Sequence, residues 1–121
     1  MLQISHGTFV FYNGGVHVQS LTIINSAADL HQLFNASEGL IVDIRNIEDY
    51  TKGHLPNALH MDLMSNKFVS YFSDLNKDEN LLLYCTDGSR SKVALRILTE
   101  MGFQHLYNLK KGIEEWDGIL S

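Results

Sequence analysis

The chain contains a single cysteine, Cys85, and a single proline, Pro56, among its 121 residues. One cysteine cannot form an internal disulfide, so stability does not depend on oxidation and a reducing compartment is favoured. Basic residues are also scarce, since nine lysines and arginines against fourteen acidic residues give a formal net charge of −5. This shortage of positive charge argues against nucleic acid or an anionic membrane surface as the main partner.

Long apolar runs are missing as well. No run approaches the roughly 20 residues that a membrane span needs. The first residues lack a basic start followed by an apolar block, so no secretory signal is predicted and we expect a cytoplasmic protein. The length suits one compact domain, and 45% hydrophobic with 19% charged residues is typical of a soluble globular protein.

Short apolar runs alternate with helical patterns along the chain. Residues 39–45 (GLIVDIR) and 80–85 (NLLLYC) are continuous apolar runs preceded by turn signals, as in strands that are covered on both faces. Residues 103–109 (FQHLYNL) form a third candidate strand. Strands that alternate with helices predict an α/β fold with a parallel sheet and helices on both of its faces.

Two helices are indicated by caps and by periodicity. Ser26 is placed to cap a helix over AADLHQLF, and Gly102 is placed to end a second helix that begins near Ser89. The second helix carries an apolar stripe, with Ala94 and Leu98 beside it. That stripe repeats every four residues and consists of Val93, Ile97 and Met101.

The start of the chain differs from the α/β body. Asn13 and Gly14 stand between β-rich runs, and this pair is a strong signal for a hairpin turn. Residues 1–20 are therefore predicted to be a β-hairpin extension, and residues 21–121 the α/β domain. Because a single hairpin is marginally stable, we expect it to pack on the body or to join a second copy in a homodimer.

Cys85 ends a predicted buried strand, and the loop TDGSR then leads into a helix. In an open parallel sheet, ligands bind beyond the carboxyl ends of the strands. The unpaired N–H groups of a helix N-terminus carry partial positive charge and stabilise a thiolate. Gly88 allows the backbone to curl around the sulfur, and Arg90 adds a planar cation. This pattern predicts a reactive thiol in an anion-binding loop rather than a small buried apolar residue.

Three stretches resemble the rhodanese sulfurtransferases. Residues 85–91 (CTDGSRS) are similar to the active-site loop of that family, Cys-x-x-Gly-x-Arg-Ser. Residues 42–63 resemble the segment with Asp-x-Arg, Glu-x-Tyr and Gly-His-Ile-Pro-Gly-Ala, and residues 101–116 the segment with Gly-Phe, Leu-x-Gly-Gly and Trp. All three stand in the order of the family, and the resemblance covers roughly residues 22 to 118.

The resemblance implies a rhodanese-like three-layer fold with a central parallel sheet of about five strands. It also implies a catalytic Cys85, which takes a sulfane sulfur from thiosulfate or a persulfide and passes it to a thiol or cyanide. The donor would be bound by the loop, and no metal or organic cofactor would be required. The binding residues implied are Thr86, Asp87, Gly88, Ser89 and Arg90.

Three positions depart from the family pattern. Asp87 stands in the loop where neutral or basic residues are common, and its carboxylate would repel a dianion such as thiosulfate. Asn57 replaces a glycine, which matters little because asparagine tolerates left-handed backbone. Lys111 replaces the first glycine of a pair and would partly offset Asp87 if its turn lies beside the loop.

Several polar residues outside the cysteine loop admit both a structural and a functional reading. Asp43, Arg45 and Glu48 follow the first buried run, and a polar network that fixes the strand end is favoured over an acid–base group. His54 is expected to hold the GHLPNA turn by hydrogen bonds rather than act as a general base. His54 and His60 lack a convincing zinc spacing, so no metal site is predicted.

Three competing functions are compatible with the sequence. Cysteine phosphatases also place a thiolate and an arginine in a strand–loop–helix arrangement, but five residues separate the two in their loop. Here four residues separate Cys85 from Arg90, which makes a smaller loop that suits one sulfur atom better than phosphate. The second competing function is a non-catalytic or regulatory binding module, and the third is a sulfur relay whose donor is a protein persulfide.

Overall fold

The computed structural model describes residues 2–5, 8–13 and 17–121, with side chains from Gln19 onward. The strands are β1 Leu2–Ser5, β2 Thr8–Asn13, β3 His17–Ile24, β4 Gly39–Asp43, β5 Leu59–His60, β6 Asn80–Tyr84 and β7 His105–Leu109. The α-helices are α1 Ala27–Leu33, α2 Ile47–Lys52, α3 Phe68–Ser73 and α4 Ser89–Glu100, and a 3₁₀ helix covers Ile113–Glu115.

Within these residues five strands run parallel, in the spatial order β3-β7-β6-β4-β5. The prediction of a five-stranded parallel sheet flanked by helices is confirmed. Strands β2 and β1 continue the sheet beyond β3 by antiparallel pairing. The predicted turn after Asn13 falls on residues 14–16, which lie outside the described residues, so the hairpin extension stays a prediction.

The sheet separates two apolar cores. Helices α3 and α4 cover one face through Phe68, Phe72 and Leu98, and the buried side chain of Cys85 belongs to this core. Helices α1 and α2 cover the other face, where Leu30 and Tyr50 pack against buried residues of the strands. Ser26 caps α1 as predicted, since its hydroxyl accepts the N–H of Asp29 at 3.1 Å. Helices therefore lie on both faces of the sheet.

Helix α4 turns most of the predicted apolar residues toward the core, including the partly buried Ile97 and Met101, and Val93 is the exception. Ala94 and Leu98 are fully buried and Leu95 nearly so, whereas Val93 is 54% exposed. The difference arises at the first turn, where Ser91 is completely buried and its hydroxyl donates to the carbonyl of Gly88 at 3.0 Å. This contact fixes the rotation of the helix, so the stripe begins at Ser91 and Val93 points away from the sheet.

The chain between β4 and β6 adds three short elements, α2, β5 and α3, which the sequence patterns do not predict separately. Strands β4 and β6 are parallel neighbours, with Asp43 opposite Tyr84. The loops that follow these two strands therefore emerge at the same edge of the sheet. In the described part of the chain, no helix is long and apolar enough to cross a membrane.

Candidate active site

Cys85 follows β6 and is only 1% exposed. Its Sγ accepts the N–H of Gly88 at 3.2 Å and the N–H of Ser91 at 3.4 Å. Gly88 has φ 92°, a left-handed conformation that glycine adopts without a steric penalty. The loop thus curls around the sulfur and directs two backbone donors at it, which favours negative charge on that atom.

The turn at residues 110–112 supports the loop from behind. A Cβ atom on Gly88 would overlap the carbonyl oxygen of Lys110, and a Cβ atom on Gly112 would overlap the carbonyl of Thr86. Gly112 also has a positive φ, 72°. The two backbones can approach this closely only because both positions are glycine.

Hydrogen bonds fix the same contact. The N–H of Ile113 donates to the carbonyl of Cys85, and the N–H of Glu114 donates to the carbonyl of Thr86, both at 2.9 Å. The first amides of the 3₁₀ helix are thereby paired, and so are the carbonyls of Cys85 and Thr86. Lys111 lies in the supporting turn, so the turn does lie beside the loop, and its replacement of a glycine leaves the contact intact.

Asp87 is exposed and turns toward the start of α4. Its Oδ1 accepts the N–H of Ser89 at 2.9 Å and the hydroxyl of Ser89 at 2.7 Å. These two hydrogen bonds lower the pKa of the Asp87 carboxyl below its ordinary value. Among the described side chains no ion pair links Lys111 to Asp87, so the predicted offset does not take the form of a direct contact.

A pocket of about 250 Å³ opens over the cysteine loop. One wall is the loop itself, and the other comes from the residues that follow β4. Sequence patterns singled out the first wall as the site and missed the second. The second wall could have been predicted by placing the two buried parallel strands next to each other in the sheet. Their carboxyl ends then lie at the same edge, so the residues that follow both strands come together there. The lining residues are Arg45, Asn46, Asp49, Cys85, Thr86, Asp87, Ser89 and Arg90.

Arg45 is tied into a buried network below this pocket. Its Nε lies 3.0 Å from Oδ1 of Asp43, and its Nη2 lies 2.7 Å from Oδ2. The same Nη2 donates to the carbonyl of Gly53 at 2.6 Å. The hydroxyl of Tyr84 donates to Asp43 at 2.8 Å and accepts the N–H of Leu55 at 3.0 Å. The expected structural role of Asp43 and Arg45 is confirmed, and the exposed Glu48 takes no part in this network.

Burial and pairing set the protonation of the network. Burial raises the pKa of the Tyr84 phenol far above its ordinary value, and the charge of Asp43 raises it further. Burial lowers the pKa of Arg45, but hydrogen bonding and attraction to Asp43 outweigh it, so the net shift is upward. Arg45 therefore carries a positive charge that Asp43 compensates.

The side chains of His54 and His60 each form a hydrogen bond with a backbone carbonyl. Nδ1 of His54 donates to the carbonyl of Tyr50 at 2.9 Å, and the two rings stack with centroids 3.9 Å apart. The expectation that His54 holds its turn is confirmed. Nε2 of His60 donates to the carbonyl of Arg45 at 2.7 Å, which steadies the second wall of the pocket. Neither histidine lines that pocket.

A larger cavity of about 770 Å³ lies between α1, the loop at residues 55–57 and the segment at residues 116–119. Its walls are mainly apolar, and no residue of the cysteine loop lines it. Size alone does not identify a site of reaction. The smaller pocket is the candidate active site because Cys85 and four residues of its loop line it.

The fold and the site together define an α/β protein that presents a thiol in a loop of backbone donors at the carboxyl edge of a parallel sheet. A family model described as rhodanese-like domain matches residues 26–118. The chain belongs to this family, and the resemblance seen in the sequence is confirmed.

Relatives with curated descriptions agree with this assignment. Thiosulfate sulfurtransferase GlpE of Coxiella burnetii is 32% identical over 85 residues, which cover 70% of this chain and 78% of that protein. A proposed sulfur carrier protein, YrkF of Bacillus subtilis, is 32% identical over 88 residues, or 72% of this chain. The match spans 46% of the length of YrkF.

Solved structures show the same fold. A rhodanese-like domain protein from Staphylococcus aureus superposes with a TM-score of 0.67 at 25% identity, covering 80% of this chain and 94% of that one. A rhodanese-related protein from Thermoplasma volcanium gives a TM-score of 0.66 at 21% identity, covering 79% of this chain and 94% of that one. The second likeness concerns the fold alone.

Proposed function

We propose that the protein is a sulfurtransferase in which Cys85 accepts a sulfane sulfur from a donor and passes it to a thiol or cyanide. The observation that carries the proposal is the pair of N–H groups, from Gly88 and Ser91, that converge on Sγ of Cys85. The relationship to thiosulfate sulfurtransferase GlpE supports the same activity. The donor is thiosulfate or a persulfide.

The chemistry needs only the thiolate and the loop. The Cys85 thiolate attacks the outer sulfur of thiosulfate, the S–S bond of the donor breaks, and sulfite leaves with the electron pair. The outer sulfur of the resulting persulfide is then attacked by cyanide, which gives thiocyanate and restores the thiolate. Backbone N–H groups stabilise negative charge on sulfur in each state. No step requires a metal or an organic cofactor.

The remaining loop residues bind the donor in this proposal. Arg90 lines the pocket and supplies a planar cation for the anionic part of a donor. Thr86, Asp87 and Ser89 line the same pocket, and Gly88 shapes the loop from which they project. Asp87 opposes thiosulfate by its charge, so thiosulfate is expected to bind weakly.

Mass spectrometry of the intact protein tests the proposal. After incubation with thiosulfate, the wild-type protein should gain one sulfur atom, and addition of cyanide should remove it as thiocyanate. Cys85→Ser should show neither change while its circular dichroism stays native. Wild-type protein unfolded in urea is the matched control, since it keeps the thiol but loses the loop. Thiocyanate formation by Cys85→Ser would refute the proposal.

The same measurement repeated with persulfide donors, together with a phosphatase assay, separates the competing functions. A module that only binds would take up no sulfur from thiosulfate or from a persulfide, and a relay would take it up from persulfides alone. A phosphatase would hydrolyse para-nitrophenyl phosphate, which we expect this protein not to do. The short loop of four residues between Cys85 and Arg90 favours sulfur transfer.

Three further features extend the proposal. Residues 1–20 form a β-hairpin extension of a rhodanese-like domain at residues 21–121. This extension packs on the body or joins a second copy in a homodimer, because an apolar hairpin needs a covering surface. The protein works in the cytoplasm, because a chain whose stability needs no disulfide suits a reducing compartment.

A further inference from the structure

The charges around the candidate site do not suit an anionic donor. Two arginines line the pocket, Arg45 and Arg90, and so do two carboxylates, Asp49 and Asp87. Arg45, however, is bound through three side-chain hydrogen bonds to the fully buried Asp43. Its charge is thereby compensated before any ligand enters. One cation, Arg90, is left to face two carboxylates, so the walls of the pocket carry a net negative charge.

The two carboxylates stand on opposite walls. Asp87 belongs to the cysteine loop, and Asp49 belongs to the first turn of α2, behind the loop that follows β4. The backbone N–H of Asp49 is already paired with the side chain of Asn46 at 2.8 Å, so the helix start is capped without the Asp49 carboxylate. That carboxylate lies close enough to Arg45 to raise the pKa of its guanidinium. Both carboxylates therefore belong to residues that line the pocket, one on each wall.

We propose that Asp49 and Asp87 select a persulfide donor that carries positive charge beside its sulfane sulfur, and discriminate against anionic donors. This inference rests on the proposed function. In the transfer, the Cys85 thiolate attacks the outer sulfur of R–S–SH, the S–S bond breaks, and R–S⁻ leaves, so Cys85 gains the outer sulfur and its proton. A cation in R lies between the carboxylates, and the positive charge of Arg90 remains available to the leaving thiolate.

Charged thiol reagents test the charge of the pocket without any sulfur transfer. Methanethiosulfonates with an ethyltrimethylammonium or an ethylsulfonate group react with Cys85 to form a mixed disulfide and release methanesulfinate. Relative to 2-mercaptoethanol, the wild-type thiol should favour the cationic reagent. Asp49→Asn should reduce this rate ratio by roughly fivefold at low salt, and the reduction should shrink in high salt.

Glu48→Gln is the matched control. Glu48 lies beside Asp49 in the first turn of α2, so its substitution changes the net charge and the helix start in the same way. It does not line the pocket, and its rate ratio should equal that of the wild type. Asp87→Asn should act in the same direction as Asp49→Asn, and the double variant should show the largest loss. Equal ratios in all variants would overturn the inference.

Matched donors complete the test. The persulfides of cysteamine and of 3-mercaptopropionate differ mainly in the sign of their charge, and persulfidated peptides with lysine or with glutamate neighbours extend the comparison to protein donors. Uptake of sulfur should be faster from the cationic member of each pair, by a margin that Asp49→Asn reduces. Equal uptake from both members refutes the inference and leaves the proposed function standing. No uptake from any donor refutes the proposed function.

Discussion

Replacing Arg45 by methionine should destabilise the protein severely, because it leaves a carboxylate buried without its cation. Asp43 is completely buried, and Arg45 is only 8% exposed. In Arg45→Met, Asp43 keeps the hydroxyl of Tyr84 at 2.8 Å and the backbone N–H of residue 45 at 2.9 Å. It loses the contacts to Nε and Nη2, the only charged donors that reach it among the described residues.

The expected magnitude follows from the burial. Removing one partner of a buried ion pair costs about 3–5 kcal/mol, against a total stability of roughly 5–15 kcal/mol for a domain of this kind. Methionine keeps most of the apolar stem, so lost packing contributes little. Urea denaturation measures the change, and with a slope of about 1–3 kcal/mol per molar urea the midpoint should fall by more than roughly 1 M.

Two further variants show whether the buried charge is the cause. Arg96→Met, on the exposed side of α4, removes the same charge and should change the stability by at most about 0.5 kcal/mol. Adding Asp43→Asn to Arg45→Met should restore part of the loss, since the amide removes the uncompensated charge and can still accept from Tyr84. A loss of stability below about 1 kcal/mol in Arg45→Met would refute the reasoning, because ion pairs exposed to solvent contribute stability of only that size.

Three other predictions concern the loop, alkaline pH and the start of the chain. Gly88→Ala should lower the urea midpoint more than Gly102→Ala does, and it should also slow sulfur uptake. Both glycines have a positive φ, but a Cβ atom would meet backbone atoms only at Gly88. Equal losses of stability in the two variants would contradict this prediction. Because the pKa of the Tyr84 phenol is raised in the folded state, its ionisation opposes folding at high pH. The protein should keep its full stability below the ordinary tyrosine pKa of about 10 and lose stability as the pH rises above that value. Urea midpoints should therefore fall above about pH 10, and less steeply in Tyr84→Phe, while identical slopes would count against the buried phenol. Deleting residues 1–18 should lower the stability or convert a dimer to a monomer by light scattering, and a monomer of unchanged stability would rule out both roles for the hairpin.

The amino-acid sequence determined the strand, the loop and the helix start that form the cysteine side of the site. Apolar runs before Cys85, glycine at position 88 and the helical pattern from Ser89 are signals between near neighbours in the chain, and they specify a strand, a tight loop and a helix start. The same holds for the cap at Ser26. The order of these elements was enough to predict a parallel sheet with helices on both faces.

Sequence patterns were less informative about which face a helix buries. Val93 fits the same apolar periodicity as Ala94 and Leu98, yet it is exposed and they are buried. The contact of Ser91 with the cysteine loop fixes the rotation of the helix, and that contact depends on how the loop is folded.

The tertiary structure alone decided what surrounds the sulfur. Asp49 and Arg45 reach the pocket because β4 and β6 are neighbours in the sheet, although the chain between these strands is long. Lys110 and Gly112 reach the back of the loop because β7 lies on the other side of β6. Electrostatic energy depends on distance through space and on burial, so neither the compensation of Arg45 nor the net charge of the pocket could be derived from residue types along the chain.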